Sequence, residues 1–509
     1  MQKDIGNEFN EILINFKDYV KKIEYYNNAI ALLHWDLSTK IPEKGIKERS
    51  NLIALLSSES FRLTTSDKME SFIDYFVKEE NNNKLDSIMR GVVRETKKNY
   101  DRFKKIPEEK YRDYVQLTSE AQSIWEKAKN NDDFTLFQPY LEKIIKYNIE
   151  FTELWGYDDN RYNALLDNYE PGMTVKKLDN IFTELRKSIV SLLSRIEDSN
   201  TKPVNKLSGR QFDIRKQEKI CKKLLEEIGF DFSSGRLDES EHPFTIDITA
   251  GDVRLTTHYY PENLSSALFS SLHEGGHGLY EQNINEELIG TPLCTGTSMG
   301  IHESQSRFWE NIIGRSYRFW NHYFSELKEL FPEELKDISL DDFHSSINLI
   351  KPSLIRIEAD ELTYNLHIII RYEIEKALIN EELAVSELPE VWNKKMEEYL
   401  GIVPDNNKEG VLQDVHWSSG LIGYFPSYTL GNIYAAQFYY TIKKEIQDFD
   451  ELVNKGDLGK ITEWLKDRIH KHGKLLTPPE IIKNVTGEDS NSKYLIKYLE
   501  DKYSAVYNI

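Results

Sequence analysis

The residues with the clearest chemical potential are His273, Glu274 and His277, in the segment HEGGH. On a helix, residues four apart project from adjacent turns of one face, so the two imidazoles can hold one metal ion between them. Glu274 lies one position round, where it can reach a water held by that ion without itself being a ligand. Two histidines on an ordinary surface helix would not need two glycines between them, since each costs roughly 1 kcal/mol relative to alanine inside a helix. Gly275 and Gly276 therefore predict close approach of another backbone or of a substrate. A catalytic site also needs a third protein ligand and an open position. Glu303 lies 26 positions past His277, in a segment opening IHESQSRFWENII, and is the favoured third ligand; Cys294 and His302 are its rivals. A thiolate ligand would suit a closed structural site more than one with a general-base glutamate.

Other polar groups cluster in three places. Val253–Tyr259 alternates as a strand, with Val253, Leu255 and Thr257 on one face and Arg254, Thr256 and His258 on the other. Arg254 then either walls a cleft beside the metal helix or sits on a polar surface face. Arg356, Asp360, Tyr364, His367 and Arg371 recur at three or four in an apolar helical pattern, which by spacing alone reads as a solvated stripe. The segment GVLQDVHWSSGLIGYFPSY, at 410–428, gathers His416, Tyr424 and other polar and aromatic groups among three glycines. Histidine and tyrosine are donors that an oxyanion beside a metal would need, although Tyr424 also suits a packed core.

The elements that must position these groups are mainly helical. Apolar spacing predicts helices over about 8–34, 48–64, 67–104, 108–130, 134–154, 176–197, 211–228, 303–330, 354–381, 387–400, 430–446, 458–472 and 493–506. The metal helix spans about Asn263–Gln282, with Leu264, Leu268, Leu272 and Leu279 as its buried stripe. The β-branched and aromatic stretch from His242 to Tyr260 predicts a hairpin: Phe244–Thr249, a turn at Ala250-Gly251-Asp252, then Val253–Tyr259. No repeat, linker or composition shift divides the chain. The expected fold is mainly α: one large helical body with a small antiparallel β-sheet beside the metal helix. It is read as a single domain over 1–509, with an N-terminal helical part over about 1–200, a catalytic part over about 240–430 and a helical C-terminal part over about 430–509.

Composition bounds the function. A net charge of −20 opposes nucleic-acid or anionic-membrane binding, both of which select basic surface. The only cysteines, Cys221 and Cys294, cannot frame a 509-residue chain with disulfides. No signal peptide and no 18-residue apolar run is found, so the expectation is a cytoplasmic protein.

Several of these segments together resemble the carboxypeptidase Taq family. HPF at 242–244, DVRLT at 252–256, HEGGH at 273–277, HESQ at 302–305, IRIEADE at 355–361 and GVLQDVHW at 410–417 match its blocks in order and spacing. Trp35-Asp36 with Pro42, and the stretch from Trp464 to Tyr503, extend the likeness over essentially the whole chain. The resemblance implies a helical body with a deep groove, a divalent metal at its floor (zinc, or cobalt in use), and usually a homodimer. It implies that peptides lose single C-terminal residues with broad specificity. It assigns His273, His277 and Glu303 to the metal, and Glu274 to the general base and proton shuttle. It assigns Arg356, with Arg254 and the segment from His242, to the terminal carboxylate, and similarity to related helical metallopeptidases assigns His416 and Tyr424 to the oxyanion. The alternatives are a related oligoendopeptidase or dipeptidyl carboxypeptidase and, more remotely, a non-catalytic metal-stabilised binding protein.

Overall fold

The computed structural model describes residues 2–509, with side-chain environments from residue 8 onward. Helices occupy the expected regions, and their boundaries follow local capping that apolar spacing does not reveal. The pattern over 67–104 is three helices, Asp67–Phe76, Glu79–Asn82 and Ser87–Lys104. Ser66 and Asp86 restart the chain by accepting the amides of Met69 (3.1 Å) and Met89 (2.7 Å), which satisfies first-turn donors that a continuous helix would not leave free. Likewise 303–330 divides into Met299–Arg307, a wide π-helical turn Phe308–Ile313, and Tyr317–Leu330, capped by Ser316. Four helices of seven to nine residues were too short for a periodicity to develop: Tyr162–Tyr169, Leu340–Ile347, Phe449–Lys455 and Pro478–Thr486.

The expected helix over 354–381 starts only at Tyr364 and ends at Ile379. Arg356–Glu358 is a single 3-10 turn, and Asp360 accepts the amides of Leu362 and Thr363 (3.0 and 2.8 Å) ahead of the helix. Side-chain capping thus breaks the presumed stripe, so Arg356 and Asp360 lie outside the helix that carries Tyr364, His367 and Arg371. Nor is that face solvated: His367 and Arg371 are fully buried.

The predicted hairpin is present as β2 (Thr245–Thr249) against β3 (Asp252–Thr257), antiparallel. A further strand, β1 (Gly235–Glu239), pairs with β3 in parallel, so the sheet has order β1-β3-β2 and is mixed rather than wholly antiparallel. Its sequence, GRLDE, carries one apolar side chain and no strand periodicity; pairing to β3 alone makes it a strand. Val253 and Leu255 turn inward, fully buried, toward the metal helix. A methyl at Gly278 of that helix would lie 2.8 Å from both Leu255 and Phe230, so glycine sets how near the sheet can come.

Most of the apolar core is one continuous cluster running from Leu117 to Tyr507. A second, built mainly from the first helices, includes Phe16, Phe72 and Phe76 and is joined by Ile284, Leu288 and Leu293 just past the metal helix. The helix bearing HEGGH therefore packs near where the two cores meet, and its leucines at 264, 268, 272 and 279 are buried as expected.

Candidate metal centre and active site

The metal helix, Leu264–Gln282, starts at Asn263, whose side chain accepts the Ser266 amide at 3.1 Å. Its glycines determine what stands opposite the histidines. A Cβ on Gly276 would fall 2.6 Å from the Ser306 Cα and would also strike the Gln305 carbonyl, so the helix Met299–Arg307 lies backbone against backbone here. On the far side, a Cβ on Gly431, in the helix Pro426–Glu445, would fall 2.6 Å from the Glu303 Cβ. The helix Met299–Arg307 is thus held between two glycine faces, and its Glu303, against Gly431, is directed at the histidine pair.

Its Oε2 lies 3.6 Å from His273 Nε2 and 3.4 Å from His277 Nε2. One donor atom from each of the three residues falls within 4.8 Å of the others. Among the described residues, this is the set of histidine, cysteine and acidic side chains close enough to share an ion. The opposite ring nitrogens are engaged. His273 Nδ1 meets Glu310 Oε2 at 2.9 Å, and His277 Nδ1 meets His302 Nδ1 at 2.5 Å. His302 Nε2 in turn meets Glu281 Oε1 at 2.8 Å. If His302 donates from Nε2 to Glu281, its Nδ1 accepts from His277, which leaves the His277 Nε2 lone pair facing the cluster. Burial pushes His277 down to about 3, keeping it neutral as a ligand must be. Burial opposes the Glu303 charge, yet Arg307 and the two histidines prevail and hold it well below the usual carboxylate range. Arg307 Nε bonds Glu303 Oε1 at 2.6 Å, and its Nη1 reaches Glu310 at 3.2 Å. Nitrogen lone pairs and an ionised oxygen, each oriented from behind, fit a divalent cation.

Glu274 faces the sheet. Its Oε2 accepts the Thr245 hydroxyl at 2.6 Å, and burial raises its pKa. A carboxyl so raised exchanges protons nearer neutral pH, as a proton shuttle requires.

A second polar cluster joins the loop before the helix Tyr364–Ile379, that helix, and the 410–428 loop. Asp414 accepts Arg356 Nε on Oδ1 (2.9 Å) and Arg371 Nε on Oδ2 (2.6 Å). Gln413 Oε1 accepts the Arg356 amide at 2.9 Å and Arg371 Nη2 at 2.8 Å. Burial alone would neutralise Asp414, but the two guanidiniums hold it far below its ordinary pKa. His416 Nε2 lies 3.2 Å from the Tyr428 hydroxyl while its buried Nδ1 has no protein partner. Burial pushes His416 down to about 4 and Tyr424 up to about 12, so imidazole and phenol are both neutral at pH 7. Tyr364 connects the two clusters: its ring carries Arg307 at 4.7 Å and its hydroxyl accepts Arg356 Nη1 at 3.0 Å.

A family profile described as Carboxypeptidase Taq (M32) metallopeptidase matches residues 15–503. The chain belongs to the carboxypeptidase Taq family. It is 48% identical to Carboxypeptidase 1 of Bacillus subtilis, over 97% of this chain and 98% of that protein. Its fold is similar to a solved M32 carboxypeptidase of Deinococcus radiodurans, with a TM-score of 0.95 at 32% identity, covering 98% of this chain and 100% of that one. It is also similar to the structure of Trypanosoma cruzi Metallocarboxypeptidase 1, with a TM-score of 0.93 at 35% identity, covering 97% and 99% of the two chains. The protein is therefore a metallocarboxypeptidase, a hydrolase of peptides that works with a divalent metal.

Within that family frame, the tertiary structure separates the residues singled out by sequence. His273, His277 and Glu303 converge, and the rivals do not join them. His302 stands behind His277, and Cys294 lies in another cavity, of about 320 Å3, with Glu24, Asp247 and Lys474. Arg254 is not brought to the cluster as a free cation: it forks onto Asp252 (2.8 Å for each bond) and stacks on Trp35 at 4.6 Å. His242 is exposed in the β1–β2 connection, where only its carbonyl is engaged, by Ser240. Glu281, Glu310 and Arg307 carry no expectation from the sequence, whereas Asp414 lies in the polar 410–428 segment singled out there without a role of its own. Glu281 had a legible signal, being the next four-residue step after His273 and His277. Glu310 had none, because the π-helical turn shifts its direction, and such turns gather at functional sites.

A cavity of about 640 Å3 has Arg307, Glu310, Arg315, Lys351, Asp360 and Tyr364 in its wall. That size suits a small ligand or the end of a peptide.

Proposed function

We propose that this protein is a cytoplasmic, zinc-dependent homodimer, one folding unit over 1–509, that releases single C-terminal residues with broad specificity. The observation that carries the chemistry is the convergence of His273 Nε2, His277 Nε2 and Glu303 Oε2 beside a buried Glu274. Two histidines and a glutamate are a common catalytic zinc set, and cobalt fits the same donors.

Bound there, the ion supplies a Lewis acid that brings the pKa of water towards ~7. Glu274 takes the proton from the attacking water and returns it to the leaving amine. His416, through its unpartnered Nδ1, and Tyr424, through its hydroxyl, donate to the oxyanion, each donor being worth on the order of 3 kcal/mol in the barrier. Arg356 holds the terminal carboxylate. Two guanidiniums share the single Asp414 there, which leaves excess positive charge for an anionic chain end. The Arg254–Asp252 pair is internally neutral, so Arg254 and the segment from His242 shape the end of the groove more than they bind charge.

Broad specificity is supported by the roomy, mixed-charge cavity. Dimerisation is supported by Ile14, Tyr25, Leu52 and Leu55, apolar side chains exposed on the first two helices. The −20 net charge, and the lack of any membrane-crossing helix among the described residues, favour the cytoplasm and no nucleic-acid or membrane partner.

A blocked dipeptide and its C-terminal amide, assayed side by side, test the carboxylate grip. The free acid is expected to be cleaved and the amide spared; equal rates would refute it. Light scattering at micromolar concentration is expected to give twice the chain mass, and a Leu55→Glu variant half of that.

A further inference from the structure

We propose that Glu375 is a positioning residue for the oxyanion donors, its one carboxylate gripping both ends of the loop that carries His416 and Tyr424. The proposal rests on the reading of those two residues given above. Glu375 is fully buried on the helix Tyr364–Ile379. Its Oε1 accepts the Trp417 indole N–H at 2.8 Å, and its Oε2 accepts the Gly423 amide at 2.9 Å and the Tyr162 hydroxyl at 2.6 Å. Trp417 directly follows His416, and Gly423 directly precedes Tyr424. The two donors on this loop are therefore the immediate neighbours of the two residues that face the oxyanion.

The loop between them doubles back through left-handed glycines, Gly420 at φ +73° and Gly423 at φ +92°. A Cβ on Gly423 would fall 3.0 Å from the Leu165 backbone, so the chain turns there only as glycine and presents its amide inward. One turn earlier on the same helix, Arg371 holds Gln413 and Asp414 at the head of the loop. The helix thus pins the loop just before His416, just after it and just before Tyr424.

A carboxyl suits this place because three donors converge and its two oxygens accept all of them, one on Oε1 and two on Oε2. Burial disfavours its charge and pushes it up to about 7, so the site keeps an acid where an apolar side chain would pack at lower cost. A fully satisfied buried network of this kind enforces one geometry, which is what preorganised donors need.

The test is a mutant cycle in the metal-loaded enzyme, read as kcat, KM, melting temperature and metal content. Glu375→Gln turns an amide N–H toward at least one of the three donors. It is expected to lower kcat about 10- to 100-fold, with KM within about threefold and metal content unchanged, since misplacement by about 1 Å costs up to that factor. In a background of His416→Ala with Tyr424→Phe, the same change is expected to cost under about threefold, because the groups it positions are gone. Unchanged kcat for Glu375→Gln, or an equal loss in both backgrounds, would overturn the proposal. Should that variant not fold, Trp417→Phe and Tyr162→Phe each delete one donor and are expected to lower kcat about 3- to 10-fold; full kcat in both overturns it equally. Full kcat in His416→Ala and in Tyr424→Phe would refute the oxyanion reading itself, which those single variants reveal before Glu375 is altered.

Discussion

The metal centre and the Arg356–Asp414 cluster treat buried charge in opposite ways. Around the histidine pair, the carboxyl groups of Glu274, Glu281, Glu303 and Glu310 stand against the guanidiniums of Arg307 and Arg315, an excess of acid. Around the 410–428 loop, Arg356 and Arg371 stand against Asp414 and against Glu375, whose charge burial disfavours by pushing it up to about 7, an excess of base. Uncompensated buried charge is costly, so each imbalance is best understood as prepared for a ligand of opposite sign. The first suits a divalent cation and the second a peptide's terminal carboxylate. Tyr364, touching Arg307 on one side and Arg356 on the other, joins the two poles. A peptide anchored by its C-terminus at one pole would offer its last peptide bond toward the other.

This contrast can be broken at four points. Glu274→Gln is expected to lower kcat about 10³- to 10⁴-fold with metal content intact, because it removes the proton shuttle and no ligand. Metal analysis alongside kinetics checks it, and near-wild-type turnover in pure protein would end the mechanism. Arg356→Ala empties the basic pole of its excess. The expected loss in kcat/KM for free-acid peptides is about 100-fold, equivalent to ~2.7 kcal/mol, with little change for C-terminal amides. A uniform loss on both substrates would mean that Arg356 only holds the loop. His302→Ala leaves every ligand in place but frees His277 Nδ1, and it is expected to weaken metal affinity about 10- to 100-fold in a competition titration with a chelator. Unaltered affinity would show that the His277–His302–Glu281 chain does not tune the ligand. Arg254→Ala is expected to raise KM about threefold at most, since that cation is already neutralised by Asp252 in a partly exposed pair. A loss matching that of Arg356→Ala would make the two arginines equal partners.

How legible these regions are in the amino-acid order depends on how local each one is. The histidine pair and Glu274 are local, spaced by one helical turn, and even Glu281 lies on the next step. The backbone approach expected at Gly275 and Gly276 is present at Gly276, against Gln305–Ser306, whereas Gly275 meets the side chains of Leu225 and Ile228 instead. The basic cluster is assembled across tens of residues, from Arg356, Arg371 and Asp414, and no period ties them together. Its presumed helical stripe failed because Asp360 caps the chain and starts the helix at Tyr364. β1 was missed for a related reason: a strand with one apolar residue exists only through its partner.

By itself, the order of residues determined the helical body, the hairpin, the two histidines and Glu274 on one helix, and the family. Those follow from periods of 3.6 and 2 and from motif spacing, which are properties of short segments. Only the tertiary structure decided that Glu303 and not His302 or Cys294 joins the histidines, that Arg254 is spent on Asp252, and that Glu375 holds the donor loop. These outcomes depend on which backbones can touch and which buried charges find partners, and both are settled between segments far apart in the chain.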